Sequence, residues 1–326
     1  MPTSSRVALP SGPWVGFAGV VLLFSLLIGS QGGFRTFWSV GNLEVLFHEG
    51  TIPAIVGLGM LLVLISGGID LSVGAVVALV TVVAMKVYSG LYEQWGPSPL
   101  ASLGAVAAGV ATGGVCGLAN GLLITKLKLP PFVATLGMFG IARGIAIWLA
   151  DRTTLAFPPG GTPAWVESLA RTSFANPGLW SLLVLAILTA VLLRQTVLGR
   201  HIYAVVSNEA TARLCGVNVP RTKMMVYTLS GLLTGWAGIA MFAHSNSGNP
   251  TLGEQLELNV ITAVVIGGAS LSGGKGTVTG AMLGVAIIGL INNGVSLFNV
   301  PVEMQYILIG VLLLANVALN QWRRGR

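Results

Sequence analysis

The sequence predicts an all-α, polytopic membrane protein with about ten transmembrane helices, and three observations carry that expectation. Apolar types make up 54% of the 326 residues, while 17 Lys or Arg and 10 Asp or Glu leave only 8% charged. A typical soluble domain carries roughly 25% charge, which it needs to cover its surface. Mean hydropathy is +0.84, long apolar runs recur along the whole chain, and Lys and Arg fall unevenly between those runs. A soluble enzyme, a disordered chain and a disulfide-stapled domain are thereby excluded. The 45 glycines suit membrane helices, where glycine is more frequent than in soluble ones. Cys116 and Cys215 have no partner-like spacing and read as small apolar filler or a surface thiol.

About 20 apolar residues cross the hydrocarbon core. Apolar runs between polar breaks place spans at 14–30, 50–66, 72–90, 100–124, 131–149, 178–194, 224–243, 257–271, 277–295 and 303–320. The eighth is short and glycine-broken, as a discontinuous helix would be. The flank before the first carries only Arg6 and no small-residue cleavage site ahead of a soluble domain, which argues against a cleaved signal peptide. With the N-terminus inside, twelve Lys or Arg lie on the inner side and four (Arg35, Lys86, Arg152 and Arg171) on the outer, with Arg143 within a span. Basic residues stay cytoplasmic. Residues 1–13 and 321–326 are therefore expected as cytoplasmic ends of a transmembrane domain, 14–320, with its main inner loop at 195–223. The net charge of +7 then needs no nucleic-acid partner.

Two breaks are long. In 150–177, Pro158, Pro159, Gly160, Gly161 and Pro163 predict an irregular outer loop. Within 195–223, the stretch SNEATARLCG has good helix formers, Ser207 or Asn208 as N-cap and Gly216 as a stop, so a short polar cytoplasmic helix is expected.

No residue set supports catalysis. His48, His201 and His244 are far apart in sequence and lack metal-ligand spacing, so neither a metal nor a cofactor is expected in this chain. GGASLSGGKGT at 267–277 fails the phosphate-loop template, since Lys275 is followed by Gly276. In ISGGIDLSVG, at 65–74, Gly67 and Gly68 interrupt an apolar run just before Asp70. A charge in a membrane helix costs about 2.5–3.5 kcal/mol. The break reads either as a discontinuity near the translocation path or as a tight turn with Asp70 capping the next helix near Ser72. GGASLS at 267–272 echoes GGIDLS at 67–72, and matched broken segments in two halves are the mark of transporter repeats, so an internal duplication is possible.

Gly109, Gly113, Gly117 and Gly121 recur every fourth residue and form one helix face fit for close packing, and Gly140/Gly144, Gly231/Gly235 and Gly280/Gly284 repeat the device. Asp70 and the neutral polar residues Asn120, Thr135, Asn246, Asn292, Asn293 and Gln305 are the candidates for a solute path. Each could equally bond a neighbouring helix. Arg143, mid-span with no acid one turn away, must pair across helices or face water.

Several blocks resemble one family in order: GGIDLSVGAVVAL (67–79), LPPFVATLGM (129–138), LGRHIYAVVSNEATARLCGVNV (198–219), YTLSGLLTGWAGI (227–239), and VVIGGASLSGGKGTVTGAMLG (264–284) followed by NNG (292–294). From about residue 40 to 320 the chain resembles the ribose-type permease subunit of bacterial ATP-binding-cassette sugar importers. Two departures stand out. ELNVI (257–261) has Asn259 where such permeases commonly carry an acid, and SNEATARLCG stands where GNEAA is more usual.

The resemblance implies a bacterial inner-membrane permease with no enzymatic site. It implies a second permease subunit, the same or homologous, and an ATP-binding subunit with two nucleotide domains that holds ATP–Mg. It also implies an extracytoplasmic binding protein that delivers a monosaccharide. Segment 207–218 resembles the coupling helix, which makes Asn208, Glu209, Ala210, Ala212, Arg213 and Gly216 the expected ATPase contacts. A secondary sugar transporter would need ion-coupling groups within its spans, where only Asp70 and Arg143 qualify. A passive channel has little support, and an importer of another polar solute such as an amino acid is the nearest rival.

Overall fold

The computed structural model describes residues 11–298 and 300–324, so most of the expected cytoplasmic ends, Arg6 included, lies outside the described residues. In chain order the helices are α1 (Ser11–Ser30), α2 (Phe34–Phe37), α3 (Val40–Ile65), α4 (Val73–Trp95), α5 (Pro99–Thr125), α6 (Pro131–Leu149), α7 (Ala164–Ala170), α8 (Pro177–Gln195), α9 (Val197–Ser207), α10 (Glu209–Leu214), α11 (Val219–Ser245), α12 (Leu256–Ile266), α13 (Val278–Leu297) and α14 (Val302–Arg324). Two-residue strands β1 (Leu155–Ala156) and β2 (Ser247–Gly248) pair antiparallel, Leu155 opposite Gly248. The fold is all-α and polytopic. Among the described residues, eight helices are long and apolar enough to cross a membrane: α1, α3, α4, α5, α6, α8, α11 and α13.

The expected span 257–271 is instead the 11-residue α12. At 1.5 Å per residue it is about 16 Å long, roughly half the hydrocarbon core. The expected second span is longer than predicted, since α3 begins at Val40 and carries Pro53 inside it. The 150–177 loop is not wholly irregular: β1 precedes its proline-glycine run and α7 follows it.

The core sits around α3. From Ala54 to Ile65 this helix is buried on every side, as a helix apolar all round must be. It packs against α11, α12, α13 and α8, and α11 packs in turn along α5 and α4. Helix α1 lies outside, with Phe24 and Ile28 against Ile287 and Ile291 of α13. Apolar side chains such as Leu103, Trp148, Val184 and Ile187 face outward, as a lipid solvent allows.

The glycine stripe of α5 meets the backbone of α11. A Cβ on Gly113 would strike the Gly231 carbonyl and come within 2.6 Å of the Gly235 amide, and one on Gly117 would strike the Tyr227 carbonyl. Gly121 faces Met224 in the same way, while Gly109 faces the Ile239 and Val80 side chains. Gly231 and Gly235 thus supply the opposing groove. Gly280 and Gly284 of α13 approach the carbonyls of Gly267 and Ala263. Gly140 and Gly144 do not share this role: both open onto empty space, because α6 turns that side away from the bundle.

Candidate functional site

Both glycine-broken segments end a helix by the same device. After α3, the Gly67 amide donates to Leu64 O (2.9 Å) and the Gly68 amide to Val63 O (3.0 Å). After α12, the Gly268 amide donates to Val265 O (2.9 Å) and the Ala269 amide to Val264 O (3.1 Å). This is the Schellman pairing, which places a left-handed residue just past the helix. Gly67, with φ +79°, and Gly268, with φ +95°, fill those positions. Letter matching pairs Gly67 with Gly267, whereas the hydrogen bonds pair Gly67 with Gly268, one residue later. The two breaks touch: the Gly274 amide donates to Ile65 O at 3.0 Å.

Beyond the first break Asp70 folds back as a cap. Its Oδ1 accepts from the Ser72 amide (3.0 Å) and the Ser72 hydroxyl (2.6 Å). The Asn120 amide donates to Ser72 Oγ at 3.0 Å, and the Thr135 hydroxyl lies 3.0 Å from Pro131 O and 3.2 Å from Ile69 O. Asp70, Asn120 and Thr135 therefore stitch the start of α4 to α5 and α6. The gap beside them, bounded by Gly113, Gly117, Gly231 and Thr234, is too narrow to admit water. None of these three residues lines the two larger cavities. Their bonds hold the break, and Asn120 keeps a buried Oδ1 with no partner among the described residues. Asn246, at φ +49°, ends α11 in the left-handed region and also lies apart from the cavities described next.

A cleft of about 490 Å³ does bring polar groups together, within the size range of small-molecule sites. Asn292, Asn293 and Gln305 line it, joined by Asn259, Glu49 and Ser296, with Pro53 and Gly50 of α3 forming one wall. Asn293 exchanges two hydrogen bonds with Asn42 (3.1 and 2.9 Å), so its amide is already satisfied and fixed. Asn292 keeps a buried Oδ1 with no partner among the described residues. Sequence reasoning found three of these residues and missed Glu49, Asn259 and Ser296. Asn259 stood out only as a family departure. The cleft wall carries that departure, the neutral amide of Asn259. A larger cavity of about 620 Å³ is walled by Phe17, Trp38, Phe47, Trp180 and other apolar side chains and offers a hydroxyl-rich solute almost nothing to bond.

At the opposite end of the bundle, α10 is the short polar helix expected from 207–216. Asn208 caps it, its Oδ1 accepting from the Thr211 amide at 2.9 Å, and Gly216 stops the segment at φ +84°. Glu209 bridges Arg213 (3.0 Å) and Lys223 of α11 (3.2 Å). Partial burial alone would raise the Glu209 carboxyl, but Lys223 and Arg213 together hold it below the ordinary carboxylate range. Ala210 is exposed. Ala212 is not part of the surface expected there: it is buried against Val205 and Val219, because a six-residue helix has one inner face and Ala212 occupies it. Leu214, 89% exposed, takes its place at the free end.

Above α10, α9 reaches both breaks. The Tyr203 hydroxyl donates to Gly276 O at 2.8 Å. The Val206 methyls lie 3.2 Å from where a Cβ on Gly67 would fall and 2.6 Å from that of Gly273. Arg143, unexplained from sequence, donates to the carbonyls of Pro250 and Leu252 and so ties α6 to the loop after α11.

The model of the family described as the branched-chain amino acid transport system, permease component, matches residues 42–317. The chain belongs to this family of ATP-binding-cassette importer permeases, in its ribose-type branch. Across 95% of its length the permease is 37% identical to the ribose import permease protein of Bacillus subtilis, covering 92% of that protein. It is 34% identical to the fructose import permease protein of Rhizobium meliloti (93% of this chain, 83% of that one). It is 33% identical to the L-arabinose permease protein of Azospirillum brasilense (97% and 91%). No solved structure matches the chain.

The histidines require a correction. Sequence distance set them apart, yet α3 and α11 bring two of them together. The His48 and His244 rings lie 4.7 Å apart, and His244 Nε2 lies 3.7 Å from Glu49 Oε1.

Proposed function

We propose that the permease carries a monosaccharide inward, received from an extracytoplasmic binding protein and driven by an ATPase pair that holds ATP–Mg and docks on α10. The observation that carries this reading is the polar cleft. Neutral amides from α12, α13 and α14, with one acid from α3, surround a space of about 490 Å³. Amides both donate and accept, which suits a ring of hydroxyls. The similarity to ribose, fructose and L-arabinose permeases supports a sugar. The basic bias around 195–223 and the tail supports an inward orientation of both termini, which puts the cleft toward the outside and α10 toward the ATPase.

The test is reconstitution of the permease with its ATPase and binding protein in liposomes, with labelled ribose, fructose and arabinose. Uptake of one of them should require internal ATP, and Asn292→Leu together with Gln305→Leu should raise the concentration needed for half-maximal uptake. Concentration of sugar by the permease alone on an ion gradient would overturn the reading. A cysteine placed at Pro159 should react with an impermeant reagent from outside; reaction only after permeabilisation would reverse the orientation.

A further inference from the structure

We infer that His48, Glu49 and His244 form a binding site for a divalent transition metal of the zinc type, clamping α3 to α11 beside the polar cleft. Each of the three side chains brings one ligand atom to within 4.8 Å of the other two. Donors bonded to zinc at about 2.0–2.2 Å in a tetrahedron stand about 3.3–3.6 Å apart. The His244–Glu49 pair, at 3.7 Å, is close to that already, and side-chain rotation covers the remainder. Two imidazoles and a carboxylate are a donor set that zinc accepts, with the fourth position left to water.

Two further observations point the same way. His48 Nε2 lies 3.2 Å from the Leu169 carbonyl. A carbonyl can only accept, so Nε2 carries the proton and Nδ1 keeps its lone pair. That is how a ligating histidine is held, with its other ring nitrogen donating to a carbonyl. Access is open as well, since the Glu49 side chain is 65% exposed and that of His244 35%. Glu49 also lines the cleft. A bound ion would therefore draw this acid away from the solute and fix α3 against α11.

The binding measurement does not depend on the transport reading. Tag-free permease carrying Cys215→Ser, which removes the exposed thiol as a competing ligand, is stripped with chelator in detergent and titrated with ZnCl₂ against a fluorescent competitor. One zinc per chain is expected. His48→Gln and His244→Gln should each weaken it by roughly tenfold or more. Magnesium and calcium, which prefer all-oxygen sites, should not compete. Elution as a monodisperse species establishes that the variants are folded, and cobalt(II) absorption lost in either variant gives an independent signature. Equal zinc affinity in the wild-type background and in the His48→Gln/His244→Gln double variant would overturn the site. In liposomes, external zinc should slow ATP-dependent uptake by the parent and spare His244→Gln, each compared with its own zinc-free rate. Zinc binding without this difference would leave a metal site that does not act on transport, and the clamp would be rejected.

Discussion

Asp70 shows how an acid can be held at the start of a membrane helix. Its Oδ1 holds the amide and hydroxyl of Ser72 at the start of α4, and the packed gap beside it admits nothing. Asp70→Asn keeps an acceptor in the same place, so the purified complex should melt close to wild type. Asp70→Ala leaves the Ser72 amide without its cap and should cost about 1–2 kcal/mol, read as a lower midpoint in detergent. Equal destabilisation by both variants would show that the charge itself holds the break. Glu209 is a second acid whose partners hold an element in place. Its pKa is depressed, so its clamp on Lys223 is intact at and above neutral pH. The clamp is lost as pH falls through the lowered folded value, beneath the ordinary carboxylate range. Glu209→Gln should show at pH 7 the loss of hydrogen-exchange protection in 208–216 that the wild type shows only in acid, once intrinsic rates are corrected. Protection unchanged in the variant would mean that Asn208 and the Ala212 contact hold α10 without it.

At the scale of elements, glycine has two meanings that spacing alone does not separate. Gly113 and Gly144 sit in equally regular four-residue patterns. The first faces backbone across the α5–α11 contact, while the second faces open space. Gly113→Ala, only one methyl larger, should already lower abundance and melting temperature, because the α11 backbone cannot yield as a flexible side chain can. Gly144→Ala should be neutral or stabilising by up to about 1 kcal/mol, the ordinary gain of alanine over glycine in a helix. Loss of the assembled complex in Gly144→Ala would put that face against another chain rather than lipid. The helices themselves were legible in the sequence, since hydropathy and length are local properties. The packing partner of each stripe was not, because it depends on which helix the fold brings alongside. The same limit explains the cleft: Glu49, Asn259, Asn292 and Gln305 lie up to 256 positions apart and share no local pattern. Asn120 and Thr135 looked as suitable for a solute as Asn292, and only the structure shows that they bond across the first break, away from the cleft.

Across the whole molecule, a chain of contacts runs from α10 to both helix breaks. Ala212 seats α10 on Val205 of α9 and Val219 of α11, and α9 then carries Tyr203 and Val206 to the two glycine segments. The breaks are joined to each other through Gly274 and Ile65, and beyond them α3 and α12 run up to the wall of the cleft. On the proposed function, a displacement of α10 by the ATPase pair would reach the cleft as a rigid-body shift of these helices. Two substitutions separate docking from transmission. Leu214→Arg alters the most exposed apolar group of α10 and should weaken copurification of the ATPase along with uptake. Tyr203→Phe leaves the docking surface untouched and removes only the hydrogen bond to Gly276. It should keep the ATPase bound and hydrolysing, yet move fewer sugar molecules per ATP, measured as the ratio of uptake to phosphate release in the same liposomes. An unchanged ratio in Tyr203→Phe would assign transmission to the Val206 packing alone. ATPase lost in Tyr203→Phe but retained in Leu214→Arg would move the docking surface from α10 to α9.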